Sequence, residues 1–180
     1  MPSKHRLYID GVGNSDLQAS RTNPNHRYLS LTGVIVSLDP YAHGYTALFG
    51  VPPKDVSVVN VSALGSAGAI VSTVDDVARF YRALFRGRLF PKSLLRPMTT
   101  EVVHAPNAGG RAIGLGVWRH PLSCSLVWGH DGDWLGYWTR VWGSANGTRQ
   151  VVISVNADTD SLGEAGSAAL QRLENLAYCG

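Results

Sequence analysis

The spacing of hydrophobic and polar positions changes along this chain of 180 residues. Residues 1–60 show little helical periodicity and many turn-forming residues, which predicts a loop-rich region with a few short extended pieces. Between Val74 and Phe85 the apolar residues recur at helical spacing, directly after Thr73, whose hydroxyl can cap a helix. Gly87 follows, and glycine commonly ends a helix. We therefore expect a helix between Thr73 and Gly87.

Four later segments have the alternation and the β-branched or aromatic content of strands. They are residues 113–119, 125–129, 136–143 and 149–156. Asn146-Gly147 predicts a turn between the last two. Because consecutive strands on short connections pair antiparallel, these segments predict an antiparallel sheet.

Two further helices accompany the predicted sheet. Pro91 is tolerated in the first turn of a helix and predicts a short one before the strands. Ser161 and Glu164 fit a capping box that opens a C-terminal helix. That helix carries one apolar stripe, made of Leu162, Ala165, Ala169, Leu173 and Leu176. The whole pattern indicates an α+β domain over residues 61–180, with residues 1–60 leading into it.

The segment Trp128–Tyr137 carries the candidate chemistry. It predicts a strand, a glycine-bounded polar box and a second strand. The box places one imidazole and two carboxylates beside a backbone that glycine leaves open to a ligand. Its residues are His130, Asp131, Gly132 and Asp133. The alternative interpretation is an ordinary hairpin with a polar turn.

A metal site is the other chemistry that these side chains suggest. Zinc needs three or four donors that converge on one point, whereas neighbouring strand residues point to opposite faces. His130 and Asp131 therefore cannot reach one ion without distortion, and no two histidines stand at helical spacing. We expect neither a metal nor another cofactor.

Composition excludes several classes of partner. With 44% hydrophobic and 16% charged residues, the chain can bury a core and is most simply one domain. The formal charge is only +3, and lysine and arginine are scattered, so no nucleic-acid footprint is visible. No apolar run approaches the ~20 residues that span a bilayer. Met1–Asp10 is polar where a secretory signal is apolar, so the chain as written is expected in the cytoplasm.

The two cysteines point the other way. The spacing of Cys124 and Cys179 fits no zinc or redox motif but suits a bridge between the C-terminal helix and the sheet. The alternative is two unrelated thiols. A bridge would imply an oxidising compartment.

Several segments together resemble a known family. Ser66–Asp76, Gly114–Val117, Gly129–Gly132 and Gly136-Tyr137 are similar, in their order and spacing, to the C-terminal portion of serine DD-peptidases and class C β-lactamase-like hydrolases. The similarity runs from about His43 to the end of the chain. It implies a partial fold of this family, an antiparallel sheet flanked by helices that lacks the family's N-terminal helix, first strands and nucleophile helix.

The resemblance also implies roles for individual residues. In this family an SxxK pair, a tyrosine- or serine-centred box and a KTG or HTG triplet converge on the substrate. His130 stands at the triplet and would shuttle protons and hold the anionic end of the substrate. Gly132 would let the substrate lie against the strand, and the N–H of Asp133 would be an oxyanion donor. The segments around Cys124 and Cys179 resemble the disulfide pair of a secreted D-alanyl-D-alanine carboxypeptidase subgroup.

One departure from the family concerns the triplet itself. Asp131 stands where a hydroxyl residue is expected, and its charge would repel the terminal carboxylate of a peptidoglycan peptide. An ester or amide would be easier to accommodate. Arg119 is a candidate clamp for a carboxylate, although an arginine at a strand end is also an ordinary solvated residue.

The second departure concerns the nucleophile. Lys4, Lys54 and Lys92 have no serine three positions before them, and no tyrosine has an asparagine two positions after it. Without a nucleophile and its base, the acyl-enzyme step cannot proceed.

Two hypotheses follow from these departures. The first is the C-terminal segment of a secreted or cell-envelope serine hydrolase, which would act on a small peptide, ester or β-lactam-like substrate together with its N-terminal half. The second is a stand-alone, non-catalytic module that binds peptidoglycan or peptides.

Overall fold

The computed structural model describes residues 42–58, 72–100 and 111–180, with shorter stretches at 29–31, 34–36, 64, 67–68, 70 and 103–104. These residues form an antiparallel sheet flanked by three helices, which is the predicted α+β class. The prediction of a domain boundary at residue 60 stays a prediction.

The strands form one large sheet and two small hairpins. The large sheet contains β5 (Val103–His104), β6 (Ala112–Ile113), β7 (Trp118–Leu122), β8 (Ser125–Trp134), β9 (Tyr137–Gly143) and β10 (Gln150–Val155). Its strand order is β10-β9-β8-β7-β6-β5, with every neighbouring pair antiparallel. The hairpins are β1 (Leu29–Leu31) with β2 (Val34–Val36) and β3 (Tyr45–Thr46) with β4 (Lys54–Asp55).

The first helix, α1 (Val74–Phe85), begins and ends where the sequence predicts. The backbone N–H of Asp76 donates to Thr73 Oγ1 at 3.0 Å, which satisfies one of the free N–H groups of the first turn. Gly87 follows with a φ of 67°, a backbone conformation that side chains disfavour. The second helix, α2, runs over Lys92–Thr100 and includes Pro97.

Helices cover both faces of the large sheet. On one face, α1 and α2 pack over a cluster made of Leu84, Phe85, Leu95, Val117 and Trp128. On the other face, the third helix, α3 (Thr159–Cys179), packs over Leu122, Val127, Trp142 and Tyr178. Val127 and Trp128 are neighbours on β8 and enter different clusters, because successive strand residues point to opposite faces.

The prediction of one strand over residues 113–119 is wrong. The segment is divided into β6 and β7 by a turn in which the N–H of Gly114 donates to the carbonyl of Val117 at 2.7 Å. Gly116 lies inside the turn with a φ of 73°. The glycines of this motif therefore fold the chain back on itself rather than extending it.

The predicted start of the C-terminal helix is also wrong. The N-cap of α3 is Asp158, whose carboxylate accepts from the backbone N–H of Ser161 at 3.0 Å. Gly163 interrupts the first turns with a φ of 59° and a ψ of −170°, so the predicted capping box at Ser161 and Glu164 does not open the helix.

The predicted apolar stripe of α3 does not provide its buried face. An apolar stripe ordinarily faces the core, but Leu173 and Leu176 are 48% and 68% exposed. The buried residues of the helix are Leu170, Glu174 and Tyr178. Glu174 is accommodated there because Arg140 Nη1 donates to its Oε1 at 2.8 Å.

The predicted disulfide is present. Cys124 and Cys179 are joined with a Cα–Cα distance of 5.8 Å, which ties the end of α3 to the β7–β8 turn. The backbone N–H of Ser123 also donates to Asn175 Oδ1 at 2.7 Å. Among the helices of the described residues, none has the length and hydropathy that crossing a membrane requires.

Removing this disulfide should destabilise the chain. Because the bridge closes a loop with a sequence separation of 55, the double variant Cys124→Ala/Cys179→Ala should lose about 4 kcal/mol in the chain-entropy model. Urea unfolding of both proteins measures the difference. The single variant Asn175→Ala, which removes only the adjacent hydrogen bond, should lose about 1 kcal/mol. Equal unfolding free energies for the double variant and the wild-type chain would contradict the expectation.

Candidate functional site

The polar box lies inside a strand rather than in a turn, which corrects the predicted arrangement. Strand β8 runs through His130, Asp131, Gly132 and Asp133 to Trp134. The reversal comes after it, at Leu135-Gly136, where Gly136 has a φ of 81°. The four predicted residues are therefore consecutive strand positions and alternate between the two faces of the sheet.

Pairing along β8 changes at the first residue of the box. From Ser125 to Gly129 the strand pairs with β7 on one edge, and Gly129 opposes Trp118 at the end of that ladder. On its other edge, β8 pairs with β9 from Trp128 opposite Gly143 to Trp134 opposite Tyr137. Among the described strands, none pairs with the first edge over His130–Trp134, so this half-strand has an open edge. We call residues 130–134, with the strand edge that faces away from β9, the open edge.

An open edge can bind an extended ligand, because the backbone N–H and C=O groups along it can form hydrogen bonds with the ligand as they would with another strand. Exposure changes at the same point. Trp128 and Gly129 are buried, His130 and Asp131 are half-buried, and Gly132 is exposed.

Two glycines of β8 have different physical roles. A Cβ at Gly129 would lie 1.8 Å from the carbonyl oxygen of Val141. This glycine is therefore required by close packing against β9. A Cβ at Gly132 would meet nothing within 4 Å. Gly132 thus has open space beside its backbone, where a ligand can approach.

His130 is oriented for proton exchange through one nitrogen. Its Nδ1 is in hydrogen-bond contact with the carbonyl oxygen of Asp131, and its ring packs edge-on against Trp118 with 5.7 Å between ring centroids. Because a carbonyl oxygen only accepts, Nδ1 carries the hydrogen in the neutral ring. Nε2 is then the nitrogen that can accept a proton, which is compatible with the predicted proton shuttle.

Asp131 lies on the face of α3 and has a counter-ion. Its Oδ2 is 3.4 Å from Arg111 Nη1, and the side chains of this pair are 21% and 17% exposed, respectively. Arg119, the predicted clamp, lies opposite Trp128 in the β7–β8 register and is half-buried. The arginine that the structure brings to Asp131 is therefore Arg111, and sequence reasoning missed it.

The Asp133 carboxylate belongs to the start of α3. It accepts from the backbone N–H of Thr159 at 3.3 Å and also contacts Thr159 Oγ1. These bonds tie the end of the polar box to the first residue of the helix. These hydrogen bonds involve the Asp133 carboxylate, whereas the predicted oxyanion role involves its backbone N–H, so they do not test that role.

A buried charge network lies behind the box, between the sheet and α3. Arg111 Nε donates to His120 Nδ1 at 3.2 Å, and His120 Nε2 is 3.8 Å from Glu174 Oε2. Glu174 in turn binds Arg140 and is fully buried. The ring of His120 stacks on Trp142, with centroids 4.7 Å apart. The sequence signal for this network was Glu174, which stands four residues from both Leu170 and Tyr178 on the buried face of α3.

A second polar cluster closes the β3–β4 hairpin. His43 Nδ1 is 2.7 Å from Asp55 Oδ2, and the backbone N–H of Ser57 donates to Asp55 Oδ1 at 2.9 Å. Hydrogen bonds from Ser57 lower the pKa of Asp55, and the contact with His43 adds to this effect. The carboxylate lies between the hydroxyl and the imidazole. A catalytic triad needs the imidazole in the middle, so this cluster is not one.

Across the described parts of the chain, no group of three or more His, Cys, Asp or Glu residues is placed to hold a metal ion.

Comparison with known proteins defines the family. The family model described as Beta-lactamase matches residues 20–176. The chain belongs to the beta-lactamase family. The resemblance to β-lactamase-related serine hydrolases is therefore confirmed, whereas the finer likeness to D-alanyl-D-alanine carboxypeptidases stays a prediction.

Solved structures show the same fold. A D-stereospecific amidohydrolase from Streptomyces sp. is 36% identical with a TM-score of 0.65, covering 70% of this chain and 38% of its own. A D-amino acid amidase from Ochrobactrum anthropi SV3, complexed with L-phenylalanine amide, is 24% identical with a TM-score of 0.62. That match covers 76% of this chain and 42% of the amidase. This chain thus matches less than half the length of these two proteins.

The two glycines of β8 provide a test of the site geometry. Gly129→Ala should lower the free energy of unfolding by about 2 kcal/mol or more, because the new methyl group clashes with the Val141 carbonyl. Gly132→Ala should change it by less than about 0.5 kcal/mol, since the methyl group enters open space. Urea unfolding of the two variants compares them directly. Similar losses would show that the space beside Gly132 is filled.

The buried His120 should make stability depend on pH. Burial, together with the charges of Arg111 and Arg140, lowers the pKa of His120 from 6.5 to about 4. The unfolded chain then takes up a proton between pH 6.5 and 4 that the folded chain does not. The free energy of unfolding should therefore fall by about 2 kcal/mol from pH 7 to pH 4.5.

Urea unfolding at the two pH values tests this expectation. His120→Gln should remove most of the fall, whereas His43→Gln, which changes an imidazole that is 46% exposed, should retain it. If His120→Gln and the wild-type chain lose equal stability, His120 is not the group responsible.

Proposed function

We propose that this chain is the substrate-edge segment of a β-lactamase-related serine hydrolase that forms an acyl-enzyme. The open edge of β8 carries this proposal, because it combines exposed backbone, free space at Gly132 and a histidine with an available Nε2. In the complete enzyme, His130 shuttles a proton and the N–H of Asp133 donates to the oxyanion.

The nucleophile and its base come from outside this sequence. None of its three lysines follows a serine at the spacing of SxxK. The chain therefore supplies one wall of the substrate groove and is inactive alone. The short span of the match, 38% of the Streptomyces amidohydrolase, supports a division of the active site between this segment and further polypeptide.

The substrate is a small amide or ester rather than a peptide with a terminal carboxylate next to the triplet. Asp131 occupies the position where the family has a hydroxyl, and its carboxylate, unlike a hydroxyl, has no hydrogen to donate to a second carboxylate. The similar Streptomyces protein is a D-stereospecific amidohydrolase, which supports an amide substrate.

The complete protein is secreted or lies in the cell envelope. The Cys124–Cys179 bridge supports this location, because disulfides persist mainly in oxidising compartments.

Covalent labelling with a fluorescent β-lactam tests the proposal. The 180-residue chain should remain unlabelled, and the longer protein encoded together with the upstream coding sequence should be labelled at a serine of an SxxK motif. Gly132→Val in the longer protein should reduce the labelling rate by about tenfold or more, because it fills the space beside the open edge.

Ser125→Val is the matched control for this experiment. It adds the same side chain to an exposed position of β8 that pairs with β7 and lies outside the open edge, and the labelling rate should stay unchanged. Acylation of the 180-residue chain alone at a mappable serine would overturn the proposal.

A further inference from the structure

Arg111 reaches the open edge from two strands away. It directly precedes β6, whose Ala112 pairs with Arg119 of β7. Its guanidinium carbon lies 5.8 Å from the ring centroid of Trp118 and 5.7 Å from that of Trp142. The side chain thus crosses β7 over aromatic rings and ends at Asp131 on β8. It lies beside the point where the β7–β8 ladder stops.

The contacts of Arg111 restrict its position. Its Nη1 lies near the Asp131 carboxylate, and its Nε donates to His120 Nδ1. Two aromatic rings, one imidazole and one carboxylate therefore surround a guanidinium that is only 17% exposed. A planar guanidinium fits such a site better than a lysine, because it can stack on rings and donate in two directions at once.

Other charges near Asp131 have partners of their own. Arg140 opposes Asp131 across the β8–β9 ladder, but its Nη1 binds Glu174 and its guanidinium carbon lies 4.0 Å from the Trp138 ring centroid. Burial and the two arginine charges keep His120 neutral at pH 7, since its pKa falls to about 4. Within the described part of the chain, Arg111 is thus the arginine that forms an ion pair with Asp131.

We propose that Arg111 is a specificity-determining residue of the open edge. By pairing with Asp131 it makes the middle position of the triplet electrically neutral, so the edge favours ligands whose nearby end is uncharged, such as a primary amide. Without Arg111, the Asp131 carboxylate would attract cationic ligands. Without Asp131, the guanidinium would attract anionic ones. This inference rests on the proposed function, because that function assigns ligand binding to the open edge.

The test measures ligand charge preference on the 180-residue chain at pH 7. The probes are D-phenylalanine amide, which carries an ammonium group, N-acetyl-D-phenylalanine amide, which is neutral, and N-acetyl-D-phenylalanine, which carries a carboxylate. NMR titrations of the backbone amides of residues 130–134 give the dissociation constant for each probe. The readout is the ratio of affinities between a charged probe and the neutral probe.

The variants should shift this ratio in opposite directions. Arg111→Gln should raise the preference for the cationic probe by about tenfold, as expected for one unbalanced charge at a partly exposed site. Asp131→Asn should raise the preference for the anionic probe by a similar factor, and it leaves the stacking of Arg111 on both tryptophans in place. The double variant should return both ratios to the wild-type values. Arg111→Lys, which restores the charge, should reverse most of the effect of Arg111→Gln.

Arg149→Gln is the matched control. It changes the net charge of the chain by the same amount as Arg111→Gln. The guanidinium carbon of Arg149 lies 5.1 Å from the Tyr178 ring centroid. If Arg111→Gln and Asp131→Asn leave the ratios equal to those of Arg149→Gln, including the case in which no probe binds any variant, the proposal is wrong. The β-lactam labelling of the longer protein does not depend on these affinity ratios. A failure of the proposed function can therefore be distinguished from a failure of this inference.

Discussion

The unequal pairing of β8 is the constraint on which the rest of the site depends. Trp128 and Gly129 are buried and paired on both edges, and from His130 onwards the described strands leave β8 with β9 as its partner. Neighbouring strands thus hold Trp128 and Gly129 from both sides, while the residues after them extend from this support along the open edge. A binding edge is most precise when it continues from a rigid element. The exposed polar box thus gains its geometry from a buried segment.

The face behind the open edge is stabilised by charge as well as by apolar packing. Glu174 of α3 is fully buried and paired with Arg140 of β9, and His120 stacks beside them on Trp142. Removing one partner of a buried pair leaves an uncompensated charge, so such a pair specifies how the helix lies on the sheet. The hydrogen bond from Thr159, the first residue of α3, to Asp133 of β8 and the disulfide at the last residue of α3 attach the helix to the sheet at both ends.

The electrostatics of the polar box differ from those suggested by its sequence. Asp131 alone would place an uncompensated negative charge at the open edge. With Arg111 beside it at 3.4 Å, the position becomes an ion pair that is largely shielded from solvent. Under the proposed function, this pair would influence the choice between carboxylate-ended and neutral ligands at the open edge.

Much of this architecture follows from local sequence. The hydroxyl cap at Thr73 was sufficient to predict α1, because a cap depends on residues close in the chain. The cysteine spacing and the family resemblance indicated the disulfide that the structure contains. The polar box gave candidate site residues, whose roles stay predictions. The turn at Gly116, the cap at Asp158 and the buried face of α3 were not predicted. The turn at Gly116 competes with a continuous strand, and the cap at Asp158 competes with the predicted capping box. Local sequence is compatible with both outcomes in each case. Arg111 joins Asp131 from 20 residues away, and only the strand order brings them together, since pairing partners across a sheet leave no periodic signal in the sequence.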